Sequence, residues 1–196
     1  MKRGIRITGG QYRGRYLDVP RGALVRPTQE RVREALFSAL GQDWSGRTVL
    51  DLFAGSGAMG LEAWSRGADR VCWVEQDARA FACLQANLRQ LGVPTNEGQA
   101  VRSSVERFLR RPSPAFDFVL ADPPYDAHTS EHSLILLLQA IAAAGCVADG
   151  GWFILEQRAT TPVQCVDPWG VAKEKVYGET RLIFYRATGP ITKSEP

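Results

Sequence analysis

Histidines, metal-type cysteine pairs, repeats and long apolar runs are all scarce or missing in this 196-residue chain. The most apolar stretch, residues 134–148, is too short to span a bilayer and is broken by Gln139 and Gly145. No membrane association is expected. The opening Met1-Lys2-Arg3-Gly4 leads into alternating sequence rather than an apolar signal region, which argues against export. The four cysteines, Cys72, Cys83, Cys146 and Cys165, show no metal-type spacing. Cys72 sits in a strand-like run and Cys83 in a helical pattern, so reduced, partly buried thiols and a cytoplasmic location are expected. The only histidines, His128 and His132, have no third ligand nearby and read as surface residues flanking a loop, so no metal is expected. Low-complexity tracts are also absent.

What remains is ordinary globular material, 44% hydrophobic and 23% charged, enough for one domain with a full core. The charge is unevenly placed. Residues 1–33 hold nine basic groups against Asp18 and Glu30, a local +7 that leaves −4 for the rest of a chain of net +3. Eight of the nine are arginines, whose planar fork suits phosphate and base contacts. A basic arm on a mildly acidic body points to a polyanionic partner held at one end, the alternative being a solvated basic surface. Arg3, Arg6, Arg13, Arg15, Arg26, Arg31 and Arg33 are the candidate contacts.

Residues 3–25 read as short strands punctuated by Gly9-Gly10, Gly14 and Pro20-Arg21-Gly22. Pro27-Thr28 opens a helix in which Val32, Ala35, Leu36, Ala39 and Leu40 recur at helical spacing. Strands and helices then alternate. Strands are expected at 49–53, 71–74, 99–102, 116–121 and 152–155. Between them lie helices at 58–66, around Phe81, Leu84, Leu88 and Leu91 with Asp77 as a cap, through Phe108, and along Leu134, Leu137, Leu138 and Ile141. Residues 173–177 and 182–185 are two further strands, joined too closely for a helical crossover. The expected fold is α/β: a doubly wound, mostly parallel, seven-stranded Rossmann-like sheet ending in an antiparallel hairpin. A small N-terminal β arm occupies residues 1–27, the main domain 28–187, and a disordered tail 188–196.

Two strand ends carry chemistry. Asp51-Leu52-Phe53-Ala54-Gly55-Ser56-Gly57-Ala58-Met59-Gly60 follows a strand and opens a helix, with Gly55, Gly57 and Gly60 forming G-x-G-x-x-G. Dinucleotides use this motif too. Asp51, however, would repel a pyrophosphate, and it suits the ammonium and sulfonium of S-adenosylmethionine. Glu75 ends the next strand, placed to accept ribose hydroxyls unless it merely ends the strand. Gln76 can assist there, and Ser104 is a candidate for the adenine edge. Phe53, Ala54 and Ser56 complete the cofactor set.

The strand at 116–121 runs into Asp122-Pro123-Pro124-Tyr125. Two prolines fix the backbone and leave carbonyls free to accept from a substrate amine. Asp122 can accept a second hydrogen of the same amine, and Tyr125 offers a face on which a base can stack. An amino group on an aromatic ring is a poor nucleophile because its lone pair is delocalised. Two acceptors favour pyramidal nitrogen and aim that lone pair at a methyl donor. The methylated nitrogen is strongly acidic, so a carboxylate can take its proton. The reading is methylation of an exocyclic amine on a nucleic-acid base, a turn being the plain alternative.

With these motifs placed, the sequence resembles the RsmD family of bacterial small-subunit (16S) ribosomal RNA guanine-N2 methyltransferases. The resemblance spans nearly the whole chain. It rests on Arg6-Ile7-Thr8-Gly9-Gly10, Arg13-Gly14-Arg15, Arg26-Pro27-Thr28, Arg31-Val32-Arg33-Glu34-Ala35-Leu36-Phe37, both strand-end motifs, and Tyr177-Gly178-Glu179-Thr180-Arg181. It implies a class I methyltransferase fold, S-adenosylmethionine as donor, and one guanine of small-subunit ribosomal RNA as target; the expected partner is that RNA, free or in a partly assembled subunit, and a monomer is expected. Ser104 stands where the family pattern has Asn or Asp. The two-proline motif alone also allows a DNA or RNA adenine-N6 methyltransferase, although the chain has little beyond its core for DNA recognition. A dehydrogenase is disfavoured by Asp51 and the prolines, and a silent RNA-binding module needs neither Asp122 nor the glycine loop.

Overall fold

The computed structural model describes residues 4–20, 22, 27–124 and 131–188. Strands β1 (Ile5–Arg6) and β2 (Tyr16–Leu17) pair antiparallel as a small hairpin. Helix α1 (Pro27–Leu40) leads to the main sheet, built from β3 (Thr48–Leu52), β4 (Arg70–Glu75), β5 (Gly98–Arg102), β6 (Phe116–Ala121), β7 (Val147–Arg158), β8 (Trp169–Tyr177) and β9 (Thr180–Ala187). The intervening helices are α2 (Ala58–Ser65), α3 (Ala78–Leu91), α4 (Val105–Leu109) and α5 (Glu131–Ala144).

The seven strands lie in the order β5-β4-β3-β6-β7-β9-β8. Strands β3 to β7 are mutually parallel, and β9 runs antiparallel between β7 and β8. The chain winds outward from β3 to β5, then returns to lay β6 on the other side of β3. That reversal opens a crevice at the carboxyl ends of β3 and β6, where open α/β sheets bind ligands. The doubly wound sheet with its closing hairpin is as the sequence leads one to expect.

Alternation along the strands divides the core. Val49, Leu120, Ile154 and Leu182 face α1, α2, α3 and the hairpin, with Ile7, Leu17, Val32, Leu36 and Leu84. Leu50, Leu52, Val119, Phe153 and Ile183 face α5, packing on Leu134, Leu138 and Ile141. Strand β3 is therefore covered on both sides, which explains its nearly continuous apolar run. Asp77 caps α3 as expected, accepting from the N–H groups of Arg79 and Ala80.

Strand β7 is longer than the apolar run at 152–155. Asp149-Gly150-Gly151 looks like a turn, yet the strand absorbs it as an irregularity: the register with β6 shifts between Phe116↔Val147 and Phe118↔Trp152. The fold also extends to Thr188, the first residue of the expected tail, whose N–H donates to the Pro168 carbonyl at 2.8 Å. Residues 189–196 lie outside the described residues.

The hairpin is fastened to α2 by buried polar groups. Glu62 is fully buried and accepts from Thr8 N–H at 2.9 Å, Thr8 Oγ1 at 2.7 Å, Arg33 Nε at 3.2 Å and Arg66 Nη2 at 2.8 Å. A Cβ at Gly10 would sit 1.7 Å from the Ser65 carbonyl oxygen, so only glycine lets the hairpin approach α2 so closely. Tyr12 stacks on Trp64 with ring centroids 4.6 Å apart. Beyond the hairpin, buried Asn87 bonds both the N–H and the carbonyl of Asp18.

Candidate active site

The loop from β3 to α2 is held from both ends by carboxylates. Asp51, 3% exposed, accepts the Gly60 N–H at 2.8 Å, tying the first turn of α2 to the strand. Glu75, at the end of β4, accepts the Gly55 N–H through one oxygen and the Asp77 N–H through the other, both at 2.7 Å. Gly57, with φ of 84°, adopts a left-handed conformation that suits glycine. Gly60 is required for a different reason: a Cβ there would lie 2.2 Å from Trp73 Nε1. Phe53 takes a φ of 58°, the one positive value at a non-glycine residue among those described. Such a conformation costs about 1–3 kcal/mol and tends to mark functional loops. Asn87 also donates to the Ser56 carbonyl at 2.9 Å, linking the loop to the segment that follows the hairpin.

Two cavities flank this loop. One of about 260 Å³ is lined by Pro20 after the hairpin, Arg33 of α1, Asp51, Phe53, Asp122 and Glu156. The other, about 280 Å³, is lined by Phe53, Glu75, Gln76, Ser103, Asp122 and Pro124. Phe53 and Asp122 belong to both, so the cavities meet at the start of the two-proline motif. A larger cavity of about 580 Å³ lies among the strand beginnings at Thr48, Arg70, Gly98 and Phe116, at the opposite end of the sheet from both motifs.

The crevice is acidic. Burial pushes the Asp51 carboxyl up to about 7, opposed by the Gly60 N–H and reinforced by the nearby Asp122 and Glu75 carboxylates. Burial raises Asp122 to about 7 as well. A cationic ligand would relieve both. The donor set therefore fits the expected cofactor: a buried carboxylate for its ammonium, a glycine loop allowing close approach, and Glu75 lining the second cavity for ribose hydroxyls. Each oxygen of Glu75 keeps a further acceptor site beyond its backbone bond.

The other expected site residues are distributed as follows. Ala54, Gly55 and Ser56 line the first cavity and Gln76 the second. Ser104 departs from expectation. Its hydroxyl accepts the Arg107 N–H at 3.3 Å and caps α4, while Ser103 and Val105 on either side line the cavity. Pro123 is buried and Pro124 exposed; Tyr125 lies outside the described residues. Of the arginines, Arg13, Arg15 and Arg31 are exposed, and Arg6 is exposed and bonded to Glu30. Arg33 is 4% exposed, its guanidinium bound to Glu62 and to the Arg6 carbonyl, and it lines the first cavity and not an outer basic surface. Arg3 and Arg26 lie outside the described residues, as does His128.

Glu62, Asn87, Ser103 and Glu156 are absent from the sequence-based site. Glu156 had a usable signal, since a carboxylate closing an apolar strand is what marks Glu75 and Asp122. Among the described residues, no group of three or more His, Cys, Asp or Glu side chains can hold a metal ion, and no helix is long and apolar enough to cross a membrane.

Known proteins share this architecture. Ribosomal RNA small subunit methyltransferase D of Escherichia coli is 36% identical over 183 residues, covering 93% of this chain and 89% of that protein. The solved structure of the Escherichia coli protein yhhF superposes with a TM-score of 0.81 at 33% identity, covering 93% of this chain and 97% of its own. The T. thermophilus 16S rRNA N2 methyltransferase RsmC, solved with AdoMet and guanosine, gives a TM-score of 0.63 at 25% identity over 85% of this chain and 44% of that one. The family described as conserved hypothetical protein 95 matches residues 5–186, and the chain belongs to it, the RsmD family its motifs resemble.

Proposed function

We propose that this protein transfers a methyl group from S-adenosylmethionine to the exocyclic N2 of one guanine in small-subunit ribosomal RNA. One observation carries the reading: a cavity lined by Asp51 and the glycine loop and a cavity lined by Glu75, Gln76 and Ser103 share Asp122 and Phe53, at the switch point of the sheet. The relatives support it, one being a small-subunit ribosomal RNA methyltransferase and another an N2 methyltransferase solved with guanosine.

When bound, S-adenosylmethionine supplies an electrophilic methyl group on a positively charged sulfur. Asp51 holds the ammonium of its amino-acid portion, Glu75 the ribose hydroxyls, and the segment around Ser103 the adenine side. Asp122 accepts one hydrogen of the guanine amine, and a carbonyl of the two-proline segment accepts the other. This pyramidalises the nitrogen and directs its lone pair along the line of attack. Positioning reacting atoms about 3–3.5 Å apart supplies most of the acceleration. Transfer breaks the methyl–sulfur bond as the N–C bond forms, and the nitrogen becomes acidic and gives its extra proton to Asp122. The exposed Arg13, Arg15 and Arg31 contact RNA phosphates from the hairpin side. The substrate is naked RNA or a partly assembled subunit, and the enzyme acts as a monomer in the cytoplasm.

The test is transfer of labelled methyl to undermethylated small subunits, naked small-subunit RNA and DNA, followed by nucleoside analysis. Label in N2-methylguanosine is expected. Label in N6-methyladenosine, or transfer only to DNA, overturns the proposal.

A further inference from the structure

A carboxylate outside the mechanism described above stands beside Asp122. Parallel pairing of β6 with β7 places Ala121 opposite Leu155, so the next residues, Asp122 and Glu156, lie side by side at the carboxyl ends of adjacent strands. Alternation puts them on one face. Leu120 and Ile154, two residues back on each strand, both pack toward the hairpin and α1. Both carboxylates, with Asp51, line the 260 Å³ cavity, and Glu156 is only 7% exposed. Ile154 on its own strand and Leu182 opposite it on β9 pack near it, and Arg33 lines the same cavity. A metal does not explain the cluster, because among the described residues no such group can hold one.

A row of acceptors fits one kind of base edge. Guanine presents its N2 hydrogens and, next to them, the N1–H: adjacent donors with no acceptor between. Adenine and cytosine place a ring-nitrogen lone pair beside their amines, and a carboxylate there repels it. We infer that Glu156 accepts the N1–H of the guanine whose N2 is held by Asp122, and that it is the residue selecting guanine over the other amino-bearing bases. The inference deepens the proposed function and rests on it. A carboxylate offers about four acceptor sites, so bonds that Glu156 makes within the fold leave room for this one.

The test uses the full-length protein and RNA in which the methyl-accepting guanine, located by mapping the label to fragments of the RNA, is replaced by 2-aminopurine. That analogue keeps the N2 amine but presents an N1 acceptor in place of N1–H. The wild type should prefer guanine in kcat/KM by about 100-fold or more, because a site built to bond an N–H strongly rejects an analogue lacking it. Glu156→Gln, which adds a donor, should slow guanine methylation at least about tenfold and shrink or invert that preference. Glu156→Ala should lose the preference, and both variants should bind S-adenosylmethionine within about twofold of wild type, which shows an intact fold. Equal wild-type rates on the two RNAs overturn the inference without any variant. Variants that are slower yet keep the full preference overturn it too, leaving Glu156 a structural residue. Absence of N2-methylguanosine with the original RNA would instead remove the proposed function itself.

Discussion

Replacing Glu62 by Gln tests how the hairpin is held and has a magnitude that follows from the structure. The side chain is fully buried, and its carboxylate faces two guanidiniums, Arg33 at 4% and Arg66 at 8% exposure. Among the described residues Glu62 is the carboxylate bonded to both arginines; Gln keeps its shape but removes that charge and turns an amide N–H₂ toward groups that donate to Glu62. Breaking a buried ion pair from one side costs about 3–5 kcal/mol, because the remaining charge stays desolvated. For a chain of this size, 1 kcal/mol corresponds to roughly 2–4 °C, so Tm should fall by about 6–20 °C. Urea unfolding gives the free energy, and hydrogen exchange at the Thr8 amide, which donates to Glu62, reports the local contact. A loss below about 1 kcal/mol with Thr8 still protected would refute the claim that this carboxylate fastens the hairpin.

Further perturbations address the cofactor and the RNA. Asp51 has its carboxyl pushed up to about 7, mainly by burial, and a bound ammonium favours its charged form. S-Adenosylmethionine affinity should therefore rise with pH through about 7 and level off above, with proton release at pH ~6.5 seen as buffer-dependent heat in calorimetry; no buffer dependence would place the ammonium elsewhere. Glu75→Ala should weaken that binding by about 1.5–3 kcal/mol, measured by calorimetry on folded protein, and unchanged affinity removes Glu75 from the ribose site. Charge reversal at Arg13 and Arg15 should weaken RNA binding and flatten its salt dependence while sparing cofactor affinity; an unchanged salt slope makes the hairpin a solvated surface.

The strand ends were legible because their chemistry is local. Asp51 precedes a glycine loop, and Asp122 precedes two prolines after an apolar strand, so a short window contains each signal. The closing hairpin was legible for a similar reason, since Gly178-Glu179 leaves no room for a crossover helix between β8 and β9. Burial created by distant segments was not legible. Glu62 looks like a surface position of α2 until the hairpin, more than fifty residues away in sequence, covers it. Arg33 reads as one more outward arginine because charge runs do not say which member turns inward. Ser104 and Ser103 are neighbours, and only the start of α4 decides that the former caps a helix while the latter lines the cavity. Asp149-Gly150-Gly151 reads as a turn, yet pairing with β6 keeps it within β7.

Single-turnover methyl transfer by Asp122 variants tests the reaction centre most directly. Asp122 sits where the two cavities meet, and its proposed partner is the substrate amine, so Asp122→Ala should nearly abolish transfer at saturating RNA while leaving fold and cofactor binding largely intact. Asp122→Asn keeps an acceptor oxygen without the charge: measurable activity means the residue chiefly orients the amine, and activity as low as Ala means it must also take the proton. An Ala variant that methylates at the wild-type rate would contradict the account and leave Asp122 a turn residue.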